Sequence, residues 1–404
     1  MAHDTMGGLN RRQFLLNSTK GAALGSALLA GCVTNQGSSS GTEFTIAGAF
    51  LPETNKMDGP QPSGVFKLRD QLVNRTDGRI KPSVVVESQI CGEGTCPSKL
   101  SENVVQAAAT SMGNSTATWA ANDIWLIPYT FPSSEALAHT LVKEETWENY
   151  WVPLAEERGI IPLYHMVPHL RNVAVGTDAA GSQDDNFRTP GDIQGLSIRR
   201  TQSSVASKAI NQWGANPVNL SWGDTVQGLR SGVVDGAESW NAAFVAFGMA
   251  GSIGEIILNE WTIGNEVIWA DVEWLQGLST EDREIIAEET KKLHEELASL
   301  TSEVNQQRIG ATQPPTEGSA FAKEEITVNE LNEQEQEEWK STVKKEGNSD
   351  LYSDIIENAN QLGIDGEGFY EYLHDSARES AVPSSLDNFS VDTWWNDYID
   401  QIEV

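Results

Sequence analysis

Positive charge is what this chain has least of. Against 58 acidic residues stand 27 lysines and arginines, so the 404 residues carry a formal net charge of -31. That imbalance argues against nucleic-acid binding, because neutralising phosphates needs clusters of Lys and Arg. Cysteine is also scarce. Only Cys32, Cys91 and Cys96 occur, which fits one modified cysteine plus one bonded pair rather than a disulfide scaffold. There are six histidines; Pro168 lies between His165 and His169 and breaks the helical spacing of a metal pair. No phosphate loop, nucleophile elbow or zinc-binding helix is present. The residues therefore point away from an enzyme, a cofactor or a metal centre. Past the N-terminus no apolar run approaches the roughly 20 residues that cross a bilayer.

What the chain does have is core material and an acidic coat. Hydrophobic residues make up 39% of it, with 13 tryptophans, and its length suits two domains. The acidic excess reads as a solvated surface suited to very salty water; an acidic face for a basic partner is the second reading.

The first forty residues read as an address. Asn10-Arg11-Arg12-Gln13-Phe14-Leu15-Leu16 is followed by a weakly apolar run over 21–30, then Leu29-Ala30-Gly31-Cys32, then a Ser- and Gly-rich stretch. The run is too short to span a membrane. The whole resembles a twin-arginine signal peptide ending in a lipobox. The resemblance implies export by the twin-arginine pathway, a lipid on Cys32, a tether over 33–42, and a mature protein held to the extracytoplasmic face of the cell membrane. With the acidic coat, it suggests a halophilic, haloarchaeal-like source. In that oxidising setting, Cys91 and Cys96, five residues apart across a glycine-rich loop, read as a disulfide before a metal site.

Downstream, strand and helix patterns alternate, which argues for an α/β fold. Strands are expected at 43–50, 80–86, 160–165, 170–176, 218–220 and 265–271. Helices are expected at 63–74, 101–109, over most of 135–158, at 203–213, from about 221, and at 242–250. Residues 279–307 read as one long helix with Ser279 as N-cap and an apolar stripe of Ile286, Leu293, Leu297, Leu300 and Val304. The stripe fits core packing, with a coiled-coil seam as the alternative. The acidic remainder is mostly helical and ends in Trp394-Trp395-Asn396-Asp397-Tyr398, read as a helix docked by its aromatics.

The chain is organised around residues 191–242. The short strand Gly195-Leu196-Ser197-Ile198-Arg199-Arg200 runs out into a helix-starting segment, and small ligands collect at such carboxyl ends of strands. Four pieces occur together: Ile127-Pro128-Tyr129-Thr130-Phe131; Arg171 at a strand start; the run from Arg188-Thr189-Pro190-Gly191-Asp192 to Arg199; and Gly214-Ala215-Asn216-Pro217-Val218 through Val233-Val234-Asp235-Gly236-Ala237-Glu238. Together they resemble the extracytoplasmic solute-binding subunit of tripartite ATP-independent (TRAP) transporters, over residues 43–307. The binding protein of an ATP-driven importer is the runner-up.

The resemblance implies a two-domain, periplasmic-binding-protein-like fold with a ligand cleft between the domains and the long helix as a brace. The first domain would be 43–167 plus 265–278, the second 168–264 plus 308–404, and the brace 279–307. It implies a monomer that captures a small organic acid and delivers it to TRAP membrane permease subunits. Arg199 holds the family position that forks onto a ligand carboxylate, Arg171 matches an earlier ligand-contacting arginine, and Arg200, as the next residue of the strand, points away. Asp235-Gly236 reads as a helix-ending turn. After Glu238, Ser239 stands where many relatives carry Asn, and Trp240 becomes a candidate lid. Phe50, Asn114, Ser115 and Trp222, in loops or helix starts that could face the cleft, complete the candidate ligand site.

The charge alone yields one expectation. Raising NaCl from 0.1 to 1 M shrinks the Debye length from about 10 to about 3 Å. The melting temperature should rise across that range in a thermal scan; a flat or falling curve would contradict the salt-adapted reading.

Overall fold

The computed structural model describes residues 41–181, 186–379 and 386–403. Arg11, Arg12 and Cys32 lie outside the described residues. Residues 41–404 form one compact unit built on two mixed sheets.

The first sheet contains β1 (Thr42–Ala47), β2 (Ile80–Val85), β3 (Ala107–Ser111), β4 (Ile160–Met166) and β10 (Glu266–Asp271), in the order β2-β1-β3-β10-β4. The second contains β5 (Arg171–Gly176), β6 (Ser197–Arg200), β7 (Asn216–Asn219), β8 (Gly236–Trp240), β9 (Ile253–Thr262) and β11 (Thr327–Glu330), in the order β11-β9-β5-β8-β6-β7. The chain thus passes from the first sheet to the second between β4 and β5, and returns between β9 and β10. β1 pairs in parallel with β2 and β3, whereas β10 runs antiparallel to β3 and β4.

Three local readings need correction. Residues 101–109 do not form the expected helix, although alanine is the best helix former. The helix is instead Cys96–Ser101, and Ala107–Ser111 is β3, buried at every position. A strand wedged between β1 and β10 with helices beyond takes small residues on both faces, so packing overrides propensity. Asp235-Gly236 does not end a helix. The helix Trp222–Arg230 stops at Ser231, and Gly236 opens β8. A Cβ on Gly236 would lie 2.3 Å from the Ala174 carbonyl oxygen, so the strand can start there only with glycine. The tryptophan-rich C-terminus is a single turn, Trp395–Asp397, rather than a helix. It does dock by its aromatics. Trp394 and Trp395 both donate their indole N–H to the Thr290 hydroxyl, at 3.1 and 3.2 Å.

The long helix spans Thr280–Glu303, about 36 Å at 1.5 Å per residue. Ser279 caps it, its hydroxyl accepting from the Asp282 N–H at 3.1 Å. Ile286, Leu293, Leu297 and Val304 are buried, so the stripe is core packing within this chain. The helix lies along β4 of the first sheet, and Thr301 donates to the Val167 carbonyl at 2.7 Å. It continues into a π-helical segment, Val304–Ile309, where Asn305 accepts from Asn241, just beyond β8 of the second sheet, at 3.1 Å. One helix therefore touches both sheets.

Of residues 308–404, expected with the second sheet, β11 joins that sheet and the helix Glu333–Ser341 packs on β9. The helices Ser353–Asn360 and Gly366–Ser376 pack instead on the turn Ala120–Leu126 that follows β3. Aromatic packing decides this. Trp125 stacks on Trp151 with ring centroids 5.1 Å apart and meets Phe369 edge-on at 5.7 Å.

His165 and His294 are buried together under the long helix, rings 5.8 Å apart, with His294 Nδ1 against the His165 carbonyl at 3.0 Å. Burial pushes His294 down to about 4 and holds His165 well below its ordinary value. Both therefore stay neutral in the fold, while the unfolded chain takes up protons below about pH 6.5. Their contribution to stability is complete above that pH and is lost as pH falls toward 4, by about 3 kcal/mol for His294 alone. Stability measured by denaturant unfolding should fall less steeply between pH 6.5 and 4 in His294→Leu than in the parent; equal slopes would refute this account.

Candidate functional site

The carboxyl end of β6 positions the central side chain. Arg199 pairs across to Val218 of β7 and Ala237 of β8, so its backbone is fixed on both edges. Its side chain is buried, only 2% exposed. Nε donates to the Leu220 carbonyl at 3.2 Å, and the guanidinium lies over the Trp222 ring, 4.5 Å from its centre. Such a stack is worth about 2 kcal/mol when desolvated. Nη1 has no partner. Burial pushes the group down to about 10.

Arg171, the first residue of β5, is treated differently. Its Nε donates to Glu238 Oε2 at 2.7 Å and its Nη2 to the Glu238 carbonyl at 3.1 Å. Its guanidinium stands 5.1 Å from the Trp240 ring, the residue opposite it in the β5–β8 pairing. The other oxygen of Glu238 accepts from the Thr201 N–H at 2.8 Å. A single buried carboxylate thus ties β5, β8 and the end of β6 together and neutralises Arg171.

These groups line a narrow inner cavity of about 10 Å³. That is about the space of one water, so the walls must part before a solute can enter. The second sheet contributes Arg171, Arg199, Ser239, Trp240 and Trp222, and the first contributes Asn114, Ser111, Glu93 and Glu266. An outer cavity shares Glu93, Asn114, Arg199, Trp222 and Phe247 with it and forms its mouth. The two sides are in contact around the ligand space. Ser203 and Ser204 donate their hydroxyls to Asp123 at 2.5 and 2.7 Å, and a Cβ on Gly94 would lie 2.1 Å from the Gln202 amide nitrogen.

Of the expected residues, Arg199, Arg171, Trp240, Ser239, Asn114 and Trp222 line the inner cavity, and Glu238 sits behind it as the partner of Arg171. Two do not reach it. Ser115 is buried beneath, donating to the Met112 carbonyl and accepting from Asn122, both at 2.7 Å. Phe50 packs in the core of the first sheet against Phe66. Phe50 lies in the loop after β1 and Ser115 ends the short helix Met112–Ser115, and both side chains turn inward where apolar or local hydrogen-bonding partners wait. Arg200 turns from Arg199 and donates to the Thr201 carbonyl at 2.7 Å, lining only the outer cavity. Gln61, Glu93, Ser111, Thr201, Phe247 and Glu266 are wall residues that the sequence pattern did not single out. The Cys91–Cys96 disulfide is present and closes the loop that carries Glu93. Among the described residues no cluster of three or more His, Cys, Asp and Glu side chains is placed to hold a metal, and no helix is long and apolar enough to cross a membrane.

Two sheets joined by strand crossovers, with an unpaired arginine in the space between them, define a protein that encloses a small solute. The relationship can be made specific. The model of the bacterial extracellular solute-binding protein family 7 matches residues 53–349, and the chain belongs to that family. Similar curated proteins include a solute-binding protein of Chromohalobacter salexigens, 23% identical over 60% of this chain and 70% of its own length. The ectoine-binding periplasmic protein TeaA of Halomonas elongata is 22% identical over 54% of this chain and 60% of its own length. The C4-dicarboxylate-binding periplasmic protein DctP of Rhodobacter capsulatus is 26% identical over 45% of this chain, which spans about half (52%) of that relative. Among solved structures, a TRAP periplasmic solute-binding protein from Chromohalobacter salexigens with bound D-glucuronate superposes with a TM-score of 0.69 at 18% identity, covering 82% of this chain and 99% of that one. One from Shewanella oneidensis with bound succinate gives 0.68 at 16% identity, covering 84% and 100%.

Removing one partner of a buried ion pair leaves the other charge stranded. Glu238→Gln should therefore cost about 3–5 kcal/mol of unfolding free energy in urea. A loss under about 1 kcal/mol would mean that Glu238 does not hold the three strands together.

Proposed function

We propose that the chain is the solute-binding subunit of a TRAP transporter, capturing a small organic anion outside the cell and delivering it to an ion-gradient-driven permease. One observation carries this reading: Arg199 is buried at the cavity wall with Nη1 unpartnered. A buried charge without a carboxylate is costly, and a planar guanidinium matches a ligand carboxylate through charge-assisted hydrogen bonds. Arg171, already bound to Glu238, shapes the wall and holds Trp240 in place. The family membership supports capture rather than catalysis, so the chain is read as a non-enzyme without a cofactor. The relatives bound to glucuronate and succinate support a carboxylate ligand and a TRAP permease over an ATP-driven importer.

The lobes proposed are 43–167 with 265–278, and 168–264 with β11, braced by 279–307. The N-terminal pattern supports twin-arginine export and a lipid on Cys32, leaving a monomer anchored outside the cell membrane.

The test is a thermal-shift and calorimetric screen of organic acids against the purified protein. A ligand that binds the folded state raises the melting temperature. Arg199→Ala should weaken binding of every acid that scores by at least about tenfold, the value of a charge-assisted bond. The variant should still fold, checked by a cooperative unliganded melt, although it gives up the Trp222 stack and the Leu220 hydrogen bond. Unchanged affinity in Arg199→Ala would end the assignment.

A further inference from the structure

Arg199 accounts for one wall of the inner cavity; the facing wall is acidic. Glu93 sits on the loop closed by Cys91 and Cys96, and its backbone carbonyl accepts from the Thr110 hydroxyl at 2.7 Å. Its carboxylate Oε2 accepts from the Ser111 N–H at 2.9 Å and from Asn114 Nδ2 at 3.3 Å. Glu266, the first residue of β10 and 4% exposed, lines the same cavity as Glu93. Burial, and then the Glu93 charge beside it, hold the Glu266 carboxyl well above the ordinary carboxylate range. A hydrogen-bond donor from a ligand is better placed against these two carboxyls than a further carboxylate.

The charges around the cavity are unevenly paired. Arg171 is bound to Glu238, whereas Arg199 shares the cavity with Glu93 and Glu266 without a salt bridge to either. A dicarboxylate on Arg199 would bring its second negative charge to a cavity that already holds two carboxyl groups. A zwitterion brings no net charge, and uncompensated charge is what a buried site tolerates least.

The unmet hydrogen bonds divide the same way. Two buried donors, Arg199 Nη1 and Trp240 Nε1, have no partner. One buried acceptor, Gln61 Oε1, also has none, and Gln61 shares with Glu266 both this cavity and an adjoining apolar one. A ligand that satisfies all three accepts hydrogen bonds at one end and donates them at the other.

We propose that the solute is a compact zwitterion, with its carboxylate on Arg199 and an N–H-bearing cationic group held by Glu93, Glu266 and Gln61. This rests on the carboxylate reading above and narrows it. Glu93 and Glu266 are the residues that determine specificity, and the disulfide loop is the device that delivers Glu93 to the site.

Succinate and β-alanine make a matched pair, since each places a carboxylate two methylenes from a second charged group. The full chain is titrated calorimetrically with glycine, β-alanine, 4-aminobutyrate and L-proline, and with succinate, L-malate and D-glucuronate. At least one amino acid should bind at least tenfold more tightly than every dicarboxylate or uronate. Glu266→Gln should weaken that amino acid tenfold or more, and Glu93→Gln, a more exposed change that spares the core, should do the same. Tighter binding of succinate, malate or glucuronate, silence from every amino acid, or amino-acid affinity within twofold of the parent in both variants would overturn the proposal. The two readings fail separately. Succinate binding that is lost in Arg199→Ala but kept in Glu266→Gln would remove the zwitterion and leave the carboxylate anchor, whereas binding kept in Arg199→Ala would remove the anchor itself.

Discussion

The Glu238 carboxylate is the interaction on which the site depends. It accepts from Arg171 through one oxygen and from the Thr201 backbone through the other, so one acidic group sets the spacing of β5, β8 and the end of β6. It also decides which arginine is free. With Arg171 neutralised, Arg199 is the cation at the inner wall still short of a hydrogen-bonding partner. A buried ion pair contributes little to net stability compared with apolar packing. Its role here is placement: it fixes where the unpaired guanidinium stands.

Aromatic side chains complete that placement. Trp222 lies under Arg199 and Trp240 beside Arg171, each donating a π face to a guanidinium that has left water. These contacts lower the cost of burying two arginines side by side without using up their hydrogen-bonding edges. At Arg199, Nη1 stays available to whatever enters the cavity.

Much of this was readable in the chain, and what was not has identifiable causes. Arg199 and Arg171 stand at strand ends within a recognisable run of residues, so their positions and burial could be anticipated. Trp222 and Asn114 could be placed near the cavity from loop position alone, but Phe50 and Ser115, chosen by the same argument, turn into the core. Loop position does not fix side-chain direction. Glu266 was hidden because it opens β10, a strand that joins the first sheet only after the chain has built most of the second. Glu93 was hidden by its own flanks, since Cys91 and Cys96 drew attention to the bond rather than to what the bond carries. β3 was misread because alanine favours a helix in isolation and a crowded strand in a sheet centre. β9 and β11 carried no pattern distinct enough to be read, although β9 is the longest strand at 10 residues.

Two of the three crossovers between the sheets are short; the third, from β10 to β11, runs through the long helix. Four residues, 167–170, separate β4 from β5, and three, 263–265, separate β9 from β10. At about 3.3–3.6 Å per extended residue, neither link can pay out more than a short length of chain. The sheets cannot slide apart, so any widening of the cavity is a rotation about these links and the long helix beside them. Displacement in a rotation grows with distance from the axis. The tip loops that meet at the mouth, one carrying Gly94 and the other Gln202, would sweep furthest while Glu266, Met166 and Thr301 beside the pivot barely move. A solute would then meet Arg199 and Glu93 on opposite banks of an open channel, and only one that satisfies both would draw them together.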